Sequence, residues 1–254
     1  MYYQENKPRY VYKYKSVSNK TDLMRVLDII ESKRIYLPQY GQLNDPLEGS
    51  VMCLWLSGYA GSGISMAADV EDNYVKEQKE KYRILSLGEK NNDPLMWAHY
   101  ADDYKGVCLC FQVDDRFKKL KKVDYYEDKI DIRIEGGKNV IKKYVEESFF
   151  KKLNGWSYEK EWRLLKPVKQ EFFDVNHSLC GIIIGHNMDV DIQKIIVKAA
   201  SKRLKVFKTY IGYRTVGVGI LSYGYKVAYG TGKPIKYIEV EKDLDRFNRK
   251  RYTN

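Results

Sequence analysis

The order of elements predicts an α+β fold: a mixed, mostly antiparallel sheet with flanking helices. Three observations carry this. Short stretches such as RYVYKYKS (9–16) and VCLCFQV (107–113) are rich in β-formers. Helical spacing of apolar residues recurs in only a few segments, which do not alternate strictly with strands. The end of the chain, RLKVFKTYIGY followed by VGVGILSYGYKVAYGTGKPIKYIEV, reads as strands parted by Gly-rich turns.

Taken in order, the strand 9–16 leads into SNKTDLMRVLDIIESKR, where Leu23, Val26, Leu27 and Ile30 recur at helical spacing. Asn19 or Thr21 is the expected N-cap, and Asp22 sits favourably in the first turn. IYLPQYGQLNDPLEG (35–49) is a short strand entering a loop, with Asn44-Asp45-Pro46 as a turn signal. Residues 57–80 read as a flexible stretch or a short helix. YRILSLGEK (82–90) is a strand, DPLMWAHYADDYKG (93–106) a helix or turn closed by Gly106, and VCLCFQV a buried strand. A helix is expected over 139–152, a strand over 158–168, a short buried strand at GIIIG (181–185), and a helix over 189–203. In that last helix Ile192, Ile195, Ile196 and Ala199 should face inward. With no repeat or low-complexity linker, one domain over 1–254 is expected.

Hydrophobic residues make up 44% and charged residues 31% of the 254, which argues for an ordered globular chain. No apolar run approaches the roughly 20 residues that span a bilayer, and MYYQENKPRYVYKYKS lacks an apolar leader core. No membrane association and a cytoplasmic location are therefore expected. None of the four cysteines forms a C-x-x-C pair, and three scattered histidines complete no zinc spacing, so no metal is expected. Cys108 and Cys110 read as structural thiols in a buried strand.

The net charge of +11 favours polyanions, nucleic acid or the phosphates of a nucleotide. Lysines cluster in RFKKLKK (116–122), IKKY (141–144), FFKK (149–152) and the terminal RFNRKRY (246–252). The 23 tyrosines interleaved with them suit stacking on bases, although tyrosine is also an ordinary strand residue.

The chemistry concentrates in WSYEKEWR (156–163). On a strand, alternate side chains share a face at about 7 Å spacing. Glu159, Glu161 and Arg163 would then project one way, with Tyr158, Trp162 and Leu164 packed the other. Two readings stand: a solvated face carrying charges of alternating sign, or paired carboxylates aimed into a cleft. NDPLMWAHY (92–100) places Trp97, His99 and Tyr100 together, after a strand containing Ser86. A histidine beside a tryptophan serves packing more often than catalysis. Asn44, Asp45 and Glu48 suit a ligand or simply make a turn. No P-loop, dinucleotide fingerprint, nucleophile elbow or H-E-x-x-H occurs. A metal-dependent nuclease using Asp45, Glu48, Asp102 or Asp103 lacks any tight carboxylate motif.

The series YKYKS, LNDPLEG, ILSLGEKNNDPLMWAHYADDYKGVCLCF, KLNGWSYEKEWRLL and CGIIIG, from about Tyr12 to Gly185, resembles a bacterial and phage family. That family is known as domain of unknown function 2971. The resemblance is most specific in MWAHYADDYKGVCLCF and in Lys152, placed four residues before WSYEKEWR. A family-like core over 9–185 is expected, with 186–254 as a helix and β-rich extension.

The order of parts also looks like the ADP-ribosyltransferase fold, a split β-sandwich that binds NAD. That likeness implies a basic residue on the first strand, a Ser or Tyr on a middle strand, and a catalytic Glu on a late one, often as Glu-x-Glu. Tyr12-Lys13-Tyr14, Ser86 and Glu159-Lys160-Glu161 fall in that order. Lys13 and Lys15 stand where a His or Arg is usual, and ILSLGE lacks a Ser-Thr-Ser signature. The implied chemistry is cleavage of the nicotinamide–ribose bond. Glu161 would stabilise the cationic sugar through its 2′-hydroxyl, and Glu159 would orient or deprotonate the acceptor. Lysines would hold the diphosphate, while Tyr12, Tyr14, Trp97 or Tyr100 would sandwich a ring of NAD. On this reading Asn44, His99, Lys152 and Arg163 complete the binding set. The implied role is a toxin or phage-defence effector acting on nucleic acid or protein, with a partner protein or antitoxin left open. The competing expectation is a nucleic-acid-binding module without catalysis.

Overall fold

The computed structural model describes residues 7–45, 49, 73–127, 138–201, 203–212, 215–220 and 244–245. The strands are β1 (Tyr10–Lys15), β2 (Arg34–Tyr36), β3 (Tyr82–Gly88), β4 (Val107–Gln112), β5 (Lys121–Lys122) and β6 (Asp124–Tyr126). They continue as β7 (Lys151–Leu153), β8 (Glu161–Pro167), β9 (Phe172–Asp174), β10 (Leu179–Ile184), β11 (Lys205–Gly212) and β12 (Thr215–Ile220). The helices are α1 (Lys20–Ser32), α2 (Asn73–Lys79), α3 (Pro94–Tyr100), α4 (Lys138–Ser148) and α5 (Val190–Ala200). The fold is α+β, and most of its strand pairs are antiparallel, as the element order predicts.

Two compact units divide the chain, the first made of 1–35, 88–116 and 174–254, the second of 36–87 and 117–173. In the first unit the strand order is β12-β11-β10-β4-β1. β1 and β10 flank β4, both antiparallel to it, with Tyr12 opposite Cys110 and Ile182 opposite Leu109. Side chains of β4 and β10 are buried on both faces, which is why each reads as an unbroken apolar run. β10 and β11 are parallel, and α5 supplies the crossover that a parallel pair requires. α5 packs on α1, whose Asn19 side chain accepts from the Asp22 backbone N–H at 2.9 Å and so caps the helix.

In the second unit β8 lies between β3 and β5. β5 runs antiparallel to β8, with Lys122 opposite Trp162, and β6 runs parallel to β7, with Tyr125 opposite Lys152. Val75, Ile84, Ile141, Val145 and Phe149 form its apolar core, where α2 meets α4.

Several expectations need correction. The helix predicted over 139–152 ends at Ser148, because 151–153 joins β7 instead. The strand predicted from Tyr158 starts only at Glu161. Ile195 is 46% exposed, and Ala200 rather than Ala199 is buried beside Ile196. In α1 the buried residues are Val26, Ile29 and Ile30, while Leu23 and Leu27 are half-buried. Both shifts turn the buried stripe by about one residue, since a helix commits to its neighbours and not to its own apolar average. Glu48, Cys53, 57–72, 221–243 and the basic tail at 246–252 lie outside the described residues.

Candidate functional site

A tight turn, not a continuous strand, brings the two carboxylates of WSYEKEWR together. Residues Asn154–Glu159 coil as a 3-10 turn, and Lys160 closes it in the left-handed region at φ 45°. The Lys160 N–H donates to the Ser157 carbonyl at 3.3 Å. Reversal at Lys160 releases the chain into β8 at Glu161. Glu159 and Glu161 then converge on one ammonium: Lys152 Nζ lies 2.6 Å from Glu159 Oε2 and 3.4 Å from Glu161 Oε2.

Arg163, two residues along β8 and so on the face of Glu161, closes the cluster. Its Nε donates to Glu161 Oε1 at 2.8 Å and its Nη2 to Oε2 at 2.7 Å, a two-pronged grip. Its remaining Nη1 donates to the Phe149 carbonyl at 2.6 Å. The Glu161 backbone N–H donates to the Tyr125 hydroxyl at 2.9 Å, so β6 fixes the main chain as Arg163 fixes the side chain. Lys152, on β7 opposite Tyr125, also sits 4.7 Å from the Trp156 ring centroid.

Burial removes one of the two readings of this octapeptide. Arg163 is 1% exposed, Glu159 4%, Glu161 5% and Lys152 5%. A solvated strand face is thereby ruled out. Two carboxylates oppose two cations, as they must, because an unmatched charge at this depth costs several kcal/mol. Burial by itself pushes the Glu161 carboxyl upward, but the charge and hydrogen bonds of Arg163, then Lys152 and the Ser86 hydroxyl, outweigh it and hold the pKa at about 2. Glu161 is therefore a fixed, ionised carboxylate at neutral pH. Ser86 lies on β3, the strand beside β8.

The other candidate residues that the structure describes occupy the first unit, apart from Asn44, which is exposed, and Asp45, which is buried, both in the second. Tyr12 and Tyr14 are buried on β1, with Lys13 half-buried between them. The Tyr14 hydroxyl donates to the Lys90 carbonyl at 2.9 Å, and its ring meets Trp97 edge-on at 5.3 Å. Trp97 is fully buried, donates from Nε1 to the Asn91 carbonyl at 2.9 Å, and stacks at 5.4 Å on Tyr104. Asp93 caps α3 by accepting from Leu95 and Met96, and Pro94 takes the first helical position. His99 is exposed and Tyr100 half-buried on the same helix. The sites thus separate into an ionic cluster with Ser86 in one unit and an aromatic cluster in the other.

Tyr125 is the member that sequence reasoning misses. It stands in KVDYYED, whose alternation signals a strand, but nothing local announces that its hydroxyl will take a backbone donor 36 residues on. Among the described residues, no three His, Cys, Asp or Glu side chains gather as a metal site, and no helix is long and apolar enough to cross a membrane.

No curated protein and no solved structure matches the chain. The matched family segment is shorter than the stretch from Tyr12 to Gly185 that the motifs suggest, yet it takes in Trp97 with most of α3, Tyr104, and the four charged residues Lys152, Glu159, Glu161 and Arg163 together with Tyr125. Over residues 96–164 the chain resembles the family described as Protein of unknown function (DUF2971).

Proposed function

We propose that the chain is an ADP-ribosyltransferase-like enzyme that uses NAD as substrate, with Glu161 as its central carboxylate. The observation that carries this is a buried glutamate at the start of a late strand, kept ionised near pKa 2 and oriented by Arg163 and Lys152. Cleavage of the nicotinamide–ribose bond sends the bonding electron pair to nicotinamide and leaves positive charge on the sugar. A carboxylate already ionised and already aimed stabilises that charge without reorganising, which is where electrostatic catalysis gains most. The acceptor then forms the new bond to the same carbon and gives up a proton. In this scheme Arg163 and Lys152 are positioning residues, and Glu159 keeps Lys152 in place. A toxin or phage-defence role, acting on nucleic acid or protein, fits such a transfer.

Calorimetric titration of the folded wild-type protein with NAD tests the reading. Heat of binding is expected, and a flat titration with the protein shown to be folded overturns it. The wild type is the right subject, because removing Glu161 would leave Arg163 and Lys152 sharing the single carboxylate of Glu159 and confuse folding with binding.

A second reading, a nucleic-acid-binding module without catalysis, is favoured by charge. The ionic cluster is neutral within itself, two carboxylates against Lys152 and Arg163, so the net +11 belongs to the rest of the chain. That reading expects steeply salt-dependent binding to nucleic acid and indifference to NAD.

A further inference from the structure

One face of the second unit gathers lysines over aromatic rings that are themselves covered. Along β8, Trp162, Leu164 and Lys166 share a face, and Lys122 of β5 joins it by pairing opposite Trp162. Lys122 Nζ lies 5.8 Å from the Trp162 ring centroid, and Lys166 Nζ lies 5.2 Å from that of Phe173. Lys118 and Lys119 are exposed just before β5. They stand near enough to Lys166 that, after burial, their positive charge is what lowers its pKa. Like charges gathered in this way repel, and a bound polyanion relieves them.

We propose that this face, carrying Lys118, Lys119, Lys122 and Lys166, docks the phosphate backbone of duplex nucleic acid. The choice of occupant follows from what the lysines cover. Trp162 and Phe173 are each only 3% exposed, so on this face neither ring is presented for a splayed base to stack on. Contacts are left to ammonium groups, which read phosphate and not sequence. A duplex offers the denser row of phosphates, about one charge per 1.7 Å of axis. The inference deepens the nucleic-acid arm of the function proposed above and rests on it only for biological purpose.

Anisotropy titration of a labelled mixed-sequence duplex, without NAD, tests it. Four lysines neutralising about four phosphates set a salt slope near −3.6, so affinity falls about 150-fold between roughly 50 and 200 mM salt. The double variant Lys118→Gln/Lys119→Gln is expected to weaken binding and flatten the slope by about two. Lys142→Gln/Lys143→Gln on α4, which removes the same charge from exposed positions elsewhere in the unit, is expected to leave the slope unchanged. An equal effect from the α4 pair overturns the proposal, as do tighter binding to the single strand of the same sequence and no binding at all. Because the assay reads binding alone, its failure leaves the Glu161 reading standing, and a flat NAD titration leaves this one standing.

Discussion

The two clusters that the family motifs mark out are held in opposite ways. In the first unit the loop after α3 is sterically locked. Asp102, Asp103 and Tyr104 all take left-handed φ values, 48°, 49° and 65°, a conformation that costs non-glycine residues about 1–3 kcal/mol each. Neighbours over-determine it: Asn187 donates its backbone N–H to the Tyr104 carbonyl at 3.1 Å and its side chain to the Asp103 carbonyl at 3.0 Å. Gly185 lets the Tyr104 carbonyl approach to where a Cβ would stand 1.9 Å away. In the second unit the WSYEKEWR turn carries a single left-handed residue, Lys160, and its order comes from charge. One cluster answers to shape and the other to protonation. A strained loop tolerates acid but not an added methyl; an ionic cluster is undone by acid.

The largest effect is expected from breaking the ionic side. Glu161→Gln leaves Arg163 and Lys152 short of a counter-charge at about 5% exposure or less, which by the usual cost of unpairing a buried ion is about 3–5 kcal/mol. Urea denaturation against wild type measures it, and a loss under ~1 kcal/mol would mean the cluster is slack.

The acid response sharpens the same contrast. The folded pKa of Glu161, about 2, lies below its ordinary 4.5, so its stabilisation is complete above pH 4.5 and drains away as pH falls towards 2. The loss is on the order of 3 kcal/mol. Unfolding of Glu161→Gln, followed over the same range, should lack this component. A variant that weakens in parallel with wild type would assign the acid response to other carboxylates.

A smaller effect is expected on the steric side. Gly185→Ala sets a methyl against backbone that cannot swing away, and overpacking of this kind costs about 1–3 kcal/mol. Its cost, measured by the same denaturation at pH 7 and near pH 4.5, should not depend on pH. A pH-dependent cost would undo the distinction between the clusters.

How legible was all this in the residues? The start of α1 was, narrowed to Asn19 or Thr21, because a cap is a local event: Asn19 reaches Asp22 three residues along, and nothing distant decides it. The apolar runs of β4 and β10 were, since a doubly covered strand has nowhere to put a polar side chain. Lys152 and WSYEKEWR were marked by resemblance before any contact was known. The buried stripe of α5 was misjudged because Ile195 and Ile196 are equally apolar, and only the packed neighbours choose between them. Tyr125 went unseen because hydroxyls carry no periodicity.

By itself the sequence determined an α+β chain of mostly antiparallel strands, a strong positive charge, and two segments dense in reactive side chains. It could not say whether Glu159 and Glu161 face water or each other's counter-ions. Spacing on an assumed strand suggested a shared face; a left-handed Lys160 and a lysine from β7 made a closed, neutral cluster instead. Only the tertiary structure decided this. A charge takes its character from the dielectric and partners around it, and those come from parts of the chain that local sequence does not encode.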